Sequence, residues 1–206
     1  MGRQFRVHQS TIRRVLKTRP EHQKTSSVEQ FGTLPPSQTD CQFEPKLLVW
    51  WALSAKGRSS VHVHRSKAAV GTDTYLNERI RKRLVPFISK HHHGDSILFW
   101  PDLASAHYFK RVQVFLTNQG IKCVKRSQNP PNVPHARPIE TIWCLLEQKV
   151  YDRGWEAKNL DQLAKRIIWK AKEIDQKVVT NMILRVRGNL LRMYQKGVYS
   201  IVSLLM

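Results

Sequence analysis

A chain of 206 residues with 41% apolar content is long enough for one medium domain and a small appendage. Its 35 Lys and Arg against 15 Asp and Glu give a formal charge of +20, which makes a polyanion the default partner, because neutralising phosphates releases counterions. No stretch approaches the roughly 18 apolar residues of a membrane span, and the three cysteines, Cys41, Cys123 and Cys144, form neither a C-x-x-C pair nor an even-numbered disulfide framework.

The first ten residues, MGRQFRVHQS, lack the apolar core of a secretory signal, so the chain is expected inside the cell. Residues 1–24 are strongly basic. Within them VHQSTIRRVLK predicts a short helix, with Ser10 as its N-cap. Ile12, Val15 and Leu16 share one face, and Arg13, Arg14 and Lys17 point elsewhere. Such a helix suits the recognition half of a helix-turn-helix, with a solvated basic helix as the plain alternative. Residues 25–46, rich in Ser, Thr, Gln and Pro, read as a linker.

From residue 47 the pattern alternates between α and β. LLVWWAL (47–53) predicts a strand and SVHVHR a second, half-buried strand antiparallel to it. TDTYLNERIRKRLVPFI places Leu76, Ile80 and Leu84 on one helical face, with Pro86 expected to close the helix. ILFW (97–100) is a buried strand. SAHYFKRVQVFLTNQG follows as a helix, with Tyr108, Val112, Phe115 and Leu116 inward and Gly120 as its stop. IKCVK (121–125) predicts a further strand, and NPPNVPHARP a loop. Pro138 then fits the first position of a helix, Asn159 and Gln162 form a capping box for another, and a last amphipathic helix carries Val179, Met182, Ile183, Val186 and Leu190. Helices alternating with short strands indicate an α/β sheet.

In open α/β sheets chemistry collects beyond the carboxyl ends of strands. Asp102 lies two residues past ILFW, in such a place; capping the next helix is its structural alternative. Glu140 lies in the first turn of its own helix, where the macrodipole favours a negative charge whatever its function. Each acid flanks a Pro-containing break beside an apolar element.

FWPDLASAHYF (99–109) followed by NPPNVPHARPIETIW (129–143) resembles the catalytic domain of mariner-like transposases, Asp-Asp-Glu enzymes with a ribonuclease H-like mixed sheet flanked by helices. The resemblance runs from about Leu47 to the C-terminal helices and implies a catalytic domain over 47–206. Its second acid falls on Asp102 and its third on Glu140, with residues 103–139, 37 in number, between them; a branch of the superfamily has that spacing. RQFRVHQSTIRRVLK resembles the second half of the family's helix-turn-helix, which would set Ser10, Thr11, Arg13, Arg14 and Lys17 against DNA. The resemblance further implies phosphodiester cleavage and joining at transposon ends and target DNA, in the nucleus, with a homodimer allowed and no membrane association. It implies Mg2+ or Mn2+ held by Asp102 and Glu140, since two hard cations about 4 Å apart activate the attacking and leaving oxygens.

The family's first Asp belongs on a strand upstream of LLVWWAL. Only Glu21, Glu29, Asp40 and Glu44 precede that segment, none in an apolar strand pattern, and Asp40 in SQTDCQ is the nearest substitute. The first strand and first Asp are therefore expected to be missing, which would leave LLVWWAL and ILFW as exposed sheet neighbours. Other candidates carry less. His91, His92 and His93 are consecutive and do not match zinc spacing. His107 reads as a partly buried polar residue, the six tryptophans as core, and Arg185, Arg187 and Arg192 as a solvated face. By descent the chain is expected to be a transposase with little or no present cleavage. The alternatives are a non-catalytic DNA-binding relic and a basic interaction protein with an incidental likeness.

Overall fold

The computed structural model describes residues 4–12, 46–66, 70–131, 133 and 136–197, with backbone only for 4–12, 46 and 66. Its centre is a mixed sheet in the order β3-β2-β1-β5-β6, with β4 also on β2. The strands are β1 (Gln4–Ile12), β2 (Lys46–Ser54), β3 (Gly57–Arg58), β4 (His62–Ser66), β5 (Ser96–Trp100) and β6 (Lys122–Cys123).

The N-terminal segment departs from the sequence reading. Gln4–Ile12 is a central strand, antiparallel to β2 (Ser10 opposite Trp51, Thr11 opposite Trp50) and parallel to β5 (Gln4 opposite Ser96, His8 opposite Trp100). Ser10 is therefore a strand residue rather than a helix cap, and the place expected to be empty is filled. The physical reason is that both neighbours present rows of backbone donors and acceptors whose pairing outweighs a short helical pattern. Arg13, Arg14 and Lys17 lie outside the described residues, as do Asp40 and Glu44.

β2 explains the three-layer build. Its odd-numbered residues Leu47, Val49, Trp51 and Leu53 pack in one core with α4 (Pro138–Val150), α5 (Leu160–Lys172) and α6 (Gln176–Lys196). Its even-numbered Trp50 and Ala52 pack in a second core. There they meet Tyr75, Leu76, Ile80, Leu84 and Phe87, Ile97 and Phe99 of β5, and Val112 and Leu116 of α3 (Lys110–Asn118). A strand covered on both faces needs apolar residues at every position, which is why LLVWWAL shows no alternation. β4, covered less completely, does alternate: Val61, just ahead of it, and Val63 pack against the first core.

The helix over residues 72–91 is not closed by Pro86. It runs from α1 (Thr72–Thr74) through π-helical turns (Tyr75–Leu84) into α2 (Val85–His91). The Val85 N–H reaches back to the Ile80 carbonyl, a five-residue step. These wide turns accommodate a ring that has no N–H to give, so the helix passes the proline instead of ending. α3 begins at Lys110, later than expected, because Ser105–Tyr108 form a 3-10 turn. Gly120 ends α3 with φ 68°, and the Asn159 side chain caps α5 by accepting from Gln162 N at 2.9 Å.

Candidate functional site

Asp102 lies two residues past the end of β5, where Pro101 has no N–H to continue the ladder. Its Oδ1 accepts from Ala104 N at 2.8 Å, turning the chain into the 3-10 segment. The same oxygen lies 2.7 Å from His107 Nε2, and His107 is fully buried. His107 Nδ1 is hydrogen-bonded to the hydroxyl of buried Tyr75. With the Tyr75 hydroxyl donating to Nδ1, the hydrogen on Nε2 faces Asp102, so the relay holds the carboxylate in one orientation. His107, read as partly buried on a helix, is instead the fully buried middle member of this chain.

Beneath it lies Arg79, one helical turn beyond Tyr75 and fully buried. Its Cζ is 5.6 Å from the Tyr75 ring centroid, and its Nε and Nη2 have no hydrogen-bond partner among the described residues. Burial pulls its pKa down, and nearby Tyr75 and Asp102 oppose that. Arg79 and Arg83 also help hold His62 at about 4, after burial as the main cause. A buried cation thus lies near Asp102, and nothing in the hydrophobic periodicity of the π-helical segment marks Arg79 as buried.

Glu140 lies in the first turn of α4 behind Pro138, half-buried. Its segment is tied to that of Asp102 by buried Asn129, the first residue of the proline-rich loop. Asn129 Oδ1 accepts from Trp100 Nε1 at 2.9 Å and from Arg137 Nη2 at 2.8 Å. Its Nδ2 donates to the Pro101 carbonyl and to the Tyr108 hydroxyl, both at 2.8 Å. One amide therefore spends all its capacity joining the end of β5 to the start of α4. Trp100, Val133, Ala136 and Val186 pack around the junction. Neither Asn129 nor Arg137 stood out in the sequence, although both flank the loop that carries the family resemblance.

Among the described residues, no group of three His, Cys, Asp or Glu side chains is placed to hold a metal ion. The carboxylates of Asp102, which also meets His107 and Ala104, and Glu140 do not by themselves make up a two-ion site among the described residues, so no chemical step is assigned to a metal. The histidines 91–93 diverge. His91 packs against Phe87, His92 bridges Ser54 Oγ and Asp95 at 2.7 and 2.9 Å, and His93 is exposed. Not all tryptophans are core: Trp155 is half-buried and Trp169 is 55% exposed. Cys144 is likewise exposed.

No protein-family model and no curated protein matches the chain. Solved structures do. A pre-cleavage Mos1 transpososome matches with a TM-score of 0.63 and 15% identity, covering 95% of this chain and 55% of that one. The catalytic domain of Mos1 mariner transposase matches with a TM-score of 0.60 and 12% identity, covering 94% of this chain and 81% of that one. The same catalytic domain with Raltegravir and Mn matches with a TM-score of 0.63 and 11% identity, over 94% of this chain and 82% of that one. This chain spans just over half the length of the transpososome chains. The fold is that of the Mos1 catalytic domain, a ribonuclease H-like mixed α/β fold.

Proposed function

We propose that this chain is a DNA-binding protein on a mariner-type transposase scaffold, a transposase by descent in which metal-dependent strand cleavage and joining are lost or nearly lost. The observation that carries the reading is Asp102, set at the carboxyl end of β5 as the resemblance requires, yet engaged by His107, near buried Arg79, and without a third grouped ligand among the described residues. Similar folds are found in Mos1 complexes with Mn and Mg and with a left transposon end, which supports DNA ends as ancestral partners and a divalent ion as the ancestral cofactor. The charge of +20 supports backbone binding that weakens as salt rises. Nuclear residence and a homodimer on paired ends belong to the same proposal.

The second reading keeps catalysis, with Asp40 or Glu44 completing the ligand set. Nicking of supercoiled DNA by the full chain, with Asp102→Ala and Glu140→Ala beside it in Mg2+ and in Mn2+, separates the two. The expected result is no nicking above either variant, with salt-sensitive duplex binding retained. Metal-dependent nicking that vanishes in both variants would overturn the loss of cleavage.

A further inference from the structure

We propose that the pocket at the corner between α4 and α5 takes an unpaired nucleotide of a single-stranded nucleic acid. The pocket has a volume of about 480 Å3 and is lined by Asp152, Arg153, Trp155, Arg166, Trp169 and Lys170. That volume falls in the roughly 300–1,000 Å3 range of small-molecule sites. It is built from other elements than Asp102 and Glu140, and it shares with the preceding reading only the premise that the partner is nucleic acid.

The arrangement is ordered around two indoles. Arg166 donates from Nε to the Val150 carbonyl at 2.6 Å, which fixes its guanidinium 4.2 Å from the Trp155 ring centroid and 5.9 Å from that of Trp169. Lys170 Nζ lies 4.3 Å from the Trp169 centroid and is held by both carboxylate oxygens of Glu173, at 2.9 and 3.0 Å. Trp169 nevertheless stays more than half exposed, so a large aromatic surface faces solvent among anchored cations. At the rim, Arg153 is the one non-glycine with positive φ (57°) among the described residues, and its side chain is 93% exposed. A left-handed arginine is strained, and here that conformation forms the corner that brings Trp155 back beside α5.

The chemistry selects the occupant. Indole faces and guanidinium planes stack on bases, and only an unpaired base offers its own face. Arg153, whose Nε lies 3.9 Å from Asp152 Oδ2, keeps a 93% exposed side chain that suits the phosphate of the same nucleotide. A proline-rich peptide would also stack on Trp169, but three lining cations against the Asp152 carboxylate and the Glu173 behind Lys170 leave a net positive charge that favours a ligand bringing negative charge.

The test uses the full chain and two labelled probes, a 12-nucleotide thymidine single strand and a duplex of equal length, at moderate salt. In Trp169→Ala the single-strand Kd is expected to rise at least tenfold, Trp169→Phe is expected to recover most of that, and duplex binding should change less than threefold. Trp169→Ala binding the single strand as wild type does would overturn the proposal. So would an equal loss on both probes, which would mark a general phosphate contact, or a polyproline peptide that binds where the oligonucleotide does not. Absence of duplex binding in the wild type sinks the transposase reading instead, and the single-strand comparison then decides the pocket by itself.

Discussion

Replacing Asn129 by Ala removes its four side-chain hydrogen bonds, which tie the end of β5, the 3-10 turn and the start of α4 together. Two of the partners, Trp100 and the Pro101 segment, are buried, so Trp100 Nε1 and the Pro101 carbonyl lose their partner without access to water. An unsatisfied buried polar group costs about 1–3 kcal/mol. The Tyr108 hydroxyl and Arg137 are half-buried, and Arg137 keeps its bond to the Pro130 carbonyl at 3.1 Å, so water replaces much of what they lose. The sum is a destabilisation of about 4 kcal/mol, which for a domain of this size lowers the Tm by roughly 8–16 °C. Asn129→Asp keeps both acceptor contacts and gains charge attraction to Arg137, but it sets a carboxylate oxygen against the Pro101 carbonyl in a buried site, so it should not recover the stability lost in the Ala variant. Equilibrium urea unfolding with an unchanged m-value, followed by tryptophan fluorescence, measures both variants. An Ala variant within about 1 kcal/mol of wild type would refute the reasoning, because the amide would then not be the clamp.

Two more outcomes are expected. Arg79→Met removes a buried guanidinium with two nitrogens unpartnered among the described residues, at the loss of one contact with the Tyr75 ring, so it should stabilise the fold by about 1–3 kcal/mol; a lower Tm in the variant would count against it. His62 is held at about 4 by burial first and then by Arg83, Arg79 and His64, below its ordinary 6.5. The unfolded chain therefore binds the extra proton, and this contribution is complete above about pH 6.5 and lost as pH falls toward about 4, at about 1.4 kcal/mol for each tenfold difference in proton affinity between the unfolded and folded chain. Urea midpoints across that window should fall less steeply in His62→Gln, and an equally steep fall in the variant would remove His62 as the cause.

The strands and helices from residue 47 onward were legible because their signals are local. Covered strands such as LLVWWAL need unbroken apolar runs, and helix ends need Pro138, Asn159 and Gly120 where they stand. The positions of Asp102 and Glu140 were legible because both follow chain-local breaks, a strand end and a Pro-initiated helix. What local signals do not carry is partnership. QFRVHQSTI has a short helical spacing and enough β-formers to be either element; two waiting strand edges, from residues 46–54 and 96–100, decide that it is β1. Arg79 reads as one more cation on a basic helix, and only the folded protein buries it, beside the Tyr75 ring. Trp169 reads as core, but α5 turns Leu163, Ile167 and Ala171 inward and leaves its ring in solvent. Sequence by itself determined most elements from residue 47 onward and where the acids stand along them. The tertiary structure decided which backbone edges and which charges meet, because those energies depend on neighbours far away in the chain.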